Sequence, residues 1–141
     1  MSKKTGVLIV NLGTPDSPST SDVKRYLSEF LNDPRVIDIN PIGRKVLVNG
    51  IIVPTRGPKS AKEYKKLFKI GNGASPLLTY GKNLLKLVRE IGHKQFDVEL
   101  AMRYGNPSMN SILEKMRLAN YDQIIIFPLY PQYASATTGS I

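Results

Sequence analysis

The sequence has 141 residues, 41% of them hydrophobic and 22% charged, which is enough for one sizeable core in an ordinary globular domain. It contains no cysteine, so disulfides, thiolate metal sites and a cysteine nucleophile are excluded. Its net charge of +9 is concentrated, because residues 44–69 carry eight basic side chains against the single acid Glu63. Such a segment either attracts an anionic partner (nucleic acid, lipid headgroups, a small polycarboxylate or phosphate) or is a solvated helix face.

Val7-Leu8-Ile9-Val10 is a continuous apolar run, the pattern of a strand buried on both faces of a parallel sheet. It is too short for a signal-peptide core or a membrane span, so it reads as the first strand of a cytoplasmic protein. A turn stretch, Gly13 to Ser19, leads to a helix capped by Thr20 or Ser21. Val23, Tyr26, Leu27, Phe30 and Leu31 form its apolar face, and Asn32-Asp33-Pro34 ends it. Residues 35–57 mix apolar pairs with Pro41, Gly43, Gly50, Pro54 and Gly57. A helix over about 42–52 is compatible with them, and Ile51-Ile52-Val53 is either core or an exposed apolar lip.

From Lys59 to Lys69 a helical pattern returns, with Tyr64, Leu67 and Phe68 inward, and Gly71-Asn72-Gly73 stops it. Leu77, Tyr80, Leu84, Leu85, Val88 and Ile91 make a second helical stripe. Val98, Leu100 and Met102 alternate with Glu99, Ala101 and Arg103 as a strand. Met109, Ile112, Leu113 and Met116 form another helix, and Ile124 to Phe127 a further buried strand. Strands separated by helices imply right-handed crossovers, hence an α/β fold with a Rossmann-like parallel sheet flanked by helices. One unit spans residues 1–141. The last residues, Ser135 to Ser140, have the composition of a helix start with no helix after it, which suggests part of a larger protein.

In such a sheet ligands bind beyond the carboxyl ends of the strands, where Asn11 to Pro15, Met102 to Pro107 and Pro128 to Ser140 lie. The segment NLGTP has one glycine where the dinucleotide fingerprint needs three, and there is no Walker A sequence. Gly71 to Pro76 follows a helix and reads as a stop loop. The sole histidine, His93, reads as a solvent-exposed helix cap. No paired carboxylates or metal-ligand spacings occur near the site, so no catalytic or metal-binding residue is assigned. Arg56, Arg103 and Tyr104 are balanced between functional and structural roles; an arginine offers a fork for carboxylate or phosphate.

Taken together, VLIVNLGTP with its Ser-x-x-Asp-Val helix, TRGPKSAKEYKKL, GNGASPL, AMRYGNPS and PLYPQYASATTGS resemble the N-terminal half of ferrochelatase, in order and over essentially the whole chain. The resemblance implies one lobe of a two-lobed chelatase, with the C-terminal lobe, its histidine and its glutamate absent. The implied activity is insertion of ferrous iron, a substrate, into protoporphyrin IX in haem biosynthesis, with the half inactive alone. It also implies a porphyrin wall made of Leu12, Arg56, Tyr64, Ser75, Arg103, Tyr104, Tyr130, Gln132 and Tyr133. Leu12 suits protoporphyrin, since relatives acting on coproporphyrin carry Tyr there. Arg56 with Lys59 falls near the propionates, and Thr55 stands where animal relatives have a second Arg. Ser135 occupies the position of a cluster cysteine in animal relatives, so no [2Fe-2S] cluster is expected.

The family further implies a peripheral membrane contact through residues 44–56, in a cytoplasmic protein associated with the membrane surface. Exposed cleft surface would favour homo-oligomers. The alternative is a basic α/β module for anionic membrane or nucleic acid. Nucleic acid is disfavoured because no aromatic platform is interleaved with the basic residues.

Overall fold

A computed structural model describes residues 3–92 and 95–141; His93 lies outside them. The elements are β1 (Thr5–Thr14), α1 (Thr20–Leu31), α2 (Pro41–Lys45), a π-helical segment (Val46–Ile52) and α3 (Val53–Ile70), then α4 (Pro76–Gly92), β2 (Asp97–Gly105), α5 (Met109–Leu118) and β3 (Gln123–Pro128). A single 3-10 turn, Thr138–Ser140, takes the place of the expected helix start. The sheet order is β2-β1-β3 and both pairings are parallel, so the Rossmann-like α/β arrangement is the one expected.

The central strand explains the core. Leu8 and Val10 point to one face and join Ala101 and Met116, with Met109, Ile112 and Leu113 of α5 packed against them. Ile9 points to the other and joins Val98, Leu100 and Met102 beneath Leu78, Leu85 and Val88 of α4. Full burial of a side chain such as Leu8 stabilises the fold by about 2 kcal/mol. The alternation expected in β2 is only partial, because Ala101 on the second face is also fully buried under α5.

Four local expectations change. The cap of α1 is Ser19, whose Oγ accepts from the Asp22 amide at 3.1 Å. In α4 the face on the sheet is Leu78, Leu85 and Val88, while Tyr80 and Ile91 are 72% and 83% exposed and Leu84 and Leu87 also face outward. Gly81 sets that phase: a Cβ there would lie 3.0 Å from a Leu100 methyl, so the helix approaches the strand closely along the side that carries Gly81. Residues 41–70 run as one nearly continuous helical stretch despite Pro54 and Pro58. Asn40 caps its start through Gly43 N at 2.7 Å, and the π-helical segment shifts the phase so that Val48 and Val53 are buried while Ile51 is exposed. Leu67, expected inward, is exposed because Phe68 takes the buried position.

The largest departure is β3. Its apolar run reads as doubly buried, yet Ile124 to Phe127 are 37% to 56% exposed. The strand is at the sheet edge, and its substantial contacts are all with β1.

Candidate functional site

At the carboxyl ends of β1 and β2 the two strands come into contact that only glycine allows. Gly13 has φ +118°, and a Cβ on it would lie 1.8 Å from the Tyr104 carbonyl oxygen. The backbones therefore pair as far as Gly13 with Tyr104 and Thr14 with Gly105. Tyr26 of α1 donates from its hydroxyl to the Gly13 carbonyl at 3.2 Å, which fixes the helix over this junction. Around it the rings assemble in a chain. Tyr26 stacks on Phe30 at 6.2 Å, meets Tyr64 of α3 edge-on at 6.2 Å, and Phe30 meets Tyr104 edge-on at 5.1 Å.

Beside this chain lies a cavity of about 250 Å³, lined by Gly13, Thr14, Tyr64, Leu67, Ser75, Pro76 and Leu77. It brings together Tyr64 and Ser75, residues 11 apart on either side of the loop between α3 and α4. Ser75 is buried and its carbonyl accepts from the Thr79 hydroxyl. An enclosed small-molecule site occupies roughly 300–1,000 Å³, so this hollow is suited to a wall against part of a ligand. A larger hollow of about 430 Å³, lined by Arg89, Phe96, Asp97, Val98, Glu99 and Tyr121, lies at the start of β2, the opposite end from ligand sites in such sheets.

Arg103 and Tyr104 are held by a residue that sequence reasoning missed. Asp33, at the end of α1 and buried, accepts from Arg103 Nη2 and, at 2.9 Å, from the Tyr104 hydroxyl. Its other oxygen accepts from Arg35 N at 2.7 Å. Arg103 Nε donates to the Ser140 carbonyl, and the guanidinium lies 4.6 Å above the Tyr104 ring. The arginine fork expected to face a ligand is thus turned inward, with Nη1 the nitrogen left over. Among its signals in the sequence, Asp33 offered only the composition of a turn.

The remaining assigned residues are spread around this centre. Leu12 is half-buried beside Gly13. Tyr130 is half-buried, and its hydroxyl oxygen is enclosed with no hydrogen-bond partner. Burial raises the phenol pKa of Tyr26, Tyr64 and Tyr130, and pushes Tyr104 up to about 12, so all four stay neutral hydrogen-bond donors at ordinary pH. Gln132 and Tyr133 are exposed, as is Arg56, two turns before Tyr64 on α3 and outside the lining of the cavity. A second junction ties the loops after β1 and β2 together. Asn106 donates to Asp16, Gly105 N to Glu29, and Arg25 pairs with Asp16 and Asp22. Among the described residues no group of three or more His, Asp or Glu could hold a metal ion, and no helix is long and apolar enough to cross a membrane.

The family model for ferrochelatase matches residues 4–141. A ferrochelatase of Francisella tularensis subsp. tularensis (strain WY96-3418) is 46% identical over 139 residues, covering 98% of this chain and 41% of that protein. Those of subsp. holarctica (strain FTNF002-00 / FTA) and subsp. novicida (strain U112) are 48% and 45% identical with the same coverage. The chain therefore spans less than half the length of the curated relatives it matches.

Proposed function

The chain belongs to the ferrochelatase family, and we propose from that premise that it forms the porphyrin-facing wall of a chelatase that inserts ferrous iron into protoporphyrin IX. The observation that carries this reading is the cavity beyond β1, where Tyr64 and Ser75 lie against the Gly13–Thr14 backbone. A flat macrocycle needs a broad, apolar, rigid surface with few polar groups to orient it. The linked rings of Tyr26, Phe30, Tyr64 and Tyr104 supply the rigidity, Leu12, Leu77 and the Tyr130 ring supply apolar contact, and Ser75 supplies a donor. Arg56 and Lys59, both exposed, supply charge for the propionates from the rim. Arg103 contributes through Nη1 alone, as Asp33 and Ser140 hold its other nitrogens.

Metal insertion requires two pyrrole protons to leave and the ring to bend toward the ion. A wall that grips one face and the remote propionates can bring binding energy to bear on that distortion. The base that takes the protons is assigned to no residue of this chain, so the chain alone is read as catalytically inactive. With Ser135 at the position where animal relatives carry a cluster cysteine, a [2Fe-2S] cluster is not expected through this half. The exposed Ile42, Val46 and Ile51, beside Lys45, Arg56 and Lys59, fit docking on an anionic membrane surface.

Titration of the chain with protoporphyrin IX and with coproporphyrin, followed by absorbance and fluorescence, tests the reading. Saturable protoporphyrin binding is expected, weakened about 3- to 10-fold by Arg56→Ala through loss of one exposed charge contact. Absence of saturable binding to either porphyrin overturns it.

A further inference from the structure

The wall carries positive charge of two kinds. Arg56 and Lys59 at the rim are exposed and have no ion-pair partner among the described residues. Arg103 is the opposite case. Its Nη2 pairs with Asp33, whose side chain is only 6% exposed, while its Nε donates to the Ser140 carbonyl. The Asp33 carboxylate also accepts from the Tyr104 hydroxyl at 2.9 Å and from Arg35 N at 2.7 Å. A carboxylate held by three donors is not free to swing away, so the two charges cancel in place.

Register tells which part of the wall this neutral pair occupies. β1 and β2 pair at Asn11 with Met102 and at Gly13 with Tyr104, so Leu12 and Arg103 sit side by side between those pairs. By alternation Leu12 follows Leu8 and Val10, and Arg103 follows Ala101, to the side of the sheet that carries α5. The Arg103 side chain is 27% exposed, so a ligand lying on Leu12 can reach it. Without Asp33 that guanidinium would be a partly desolvated cation beside the ligand, where attraction for a carboxylate is stronger than at the open surface. With Asp33 it offers donors and no net charge.

We propose that Asp33 sets porphyrin specificity through Arg103: by cancelling that charge it makes the Leu12 side of the wall suit an apolar vinyl edge and offers no countercharge to a carboxylate there. Coproporphyrin carries propionates where protoporphyrin carries its vinyl groups. A carboxylate brought against a neutral pair loses hydration without compensation, whereas the propionates common to both porphyrins meet the unpaired cations of the rim. The inference rests on the porphyrin-wall reading and names what makes that wall selective.

A cycle of charge changes tests it, with the ratio of the coproporphyrin to the protoporphyrin dissociation constant as the readout. Asp33→Asn leaves Arg103 uncompensated, Arg103→Gln leaves Asp33 uncompensated, and the double variant is neutral again. Relative to the parent, Asp33→Asn is expected to shift the ratio at least about 10-fold toward coproporphyrin, the scale of one charge-assisted hydrogen bond. Arg103→Gln is expected to shift it at least about 3-fold toward protoporphyrin, and the double variant to return it to within about 2-fold of the parent. A purely structural role for Asp33 would weaken both porphyrins alike, and that flat ratio overturns the inference. Equal shifts in Asp33→Asn and in the double variant overturn it too, since the effect would then bypass Arg103. Should Asp33→Asn not fold, the other two variants still decide, because the double variant must reverse what Arg103→Gln does. A parent that binds neither porphyrin overturns the wall reading and this inference together, while saturable binding with a flat ratio overturns this inference alone.

Discussion

Asp33 shows what a single residue decides here. Without it the hydroxyl of Tyr104, a residue 1% exposed, would lose its carboxylate acceptor and the Arg103 guanidinium would keep only the Ser140 carbonyl, and an orphaned buried donor costs about 1–3 kcal/mol. The pair also has a pH signature. Burial holds the Tyr104 phenol at about 12, above its ordinary value near 10, and shifts Tyr26 in the same direction. The folded chain therefore binds these protons more tightly than the unfolded one does. Their contribution to stability is complete below about pH 10 and is lost as pH rises from about 10 through about 12. Urea midpoints are expected to be level from neutral pH to about 9 and to fall above about 10. Tyr104→Phe removes one titrating group, so its curve starts lower, for want of the bond to Asp33, but falls less steeply at high pH. Parallel curves for the two proteins would sink this account. At this scale the motifs singled out Tyr64 and Ser75, which line one cavity, and Tyr104, which belongs to the ring chain beside it. Asp33 was not, because an acid beside Asn32 and Pro34 reads as a turn and its partner Arg103 lies 70 residues away.

Among the elements, periodicity identified every long helix but fixed the phase of α4 only in part. Leu78 and Leu84 are equally apolar in sequence, and it is Gly81, by allowing close approach to Leu100, that turns Leu78 inward and Leu84 outward. The stretch 41–70 was obscure for a related reason. Its prolines and glycines each signal a break, but Pro41 sits at the helix start, where no amide partner is needed, and Thr55 donates its hydroxyl back to the Ile51 carbonyl at 2.6 Å within the turn where Pro54 has no amide to give. Two glycines give opposite expectations. Gly50 is exposed in the helical stretch with nothing within 4 Å of an added Cβ, so Gly50→Ala should stabilise by about 0.5–1 kcal/mol through the unfolded chain. Gly13→Ala places a methyl on the Tyr104 carbonyl at positive φ and should cost more than about 3 kcal/mol. Thermal melts of the two variants decide the matter. A destabilised Gly50→Ala would mean that the π-helical turn depends on glycine, and a tolerated Gly13→Ala would mean that β1 and β2 do not meet as described.

For the molecule as a whole, the parallel sheet and the burial of β1 were legible because a run such as Val7 to Val10 has one stable home, the middle of such a sheet. The exposure of β3 was not, because its sequence specifies an interior strand and none of the described residues covers it. The charge was legible in amount but not in arrangement. Arg44, counted with the basic rim, is turned back so that Nη1 donates to the Ile37 and Ile39 carbonyls. The rim that remains is Lys45, Arg56 and Lys59, all exposed, beside Ile42, which is 78% exposed, with Val46 and Ile51. Each cation near an anionic bilayer contributes about 1 kcal/mol, so three give a preference of roughly 100-fold over a neutral surface. The apolar side chains add an attraction that salt does not screen. Flotation with vesicles of phosphatidylcholine alone and with added phosphatidylserine separates the two contributions. Binding to the anionic vesicles is expected to fall at least about 10-fold between about 0.1 and 0.5 M salt, as screening shortens to a few ångströms. The double substitution Ile42→Asp with Ile51→Asp, at two exposed positions, should remove what persists at high salt with little change in the melting temperature. Equal binding to both kinds of vesicle, or binding indifferent to salt, would show that the basic segment is a solvated helix face and that porphyrin reaches the wall from water.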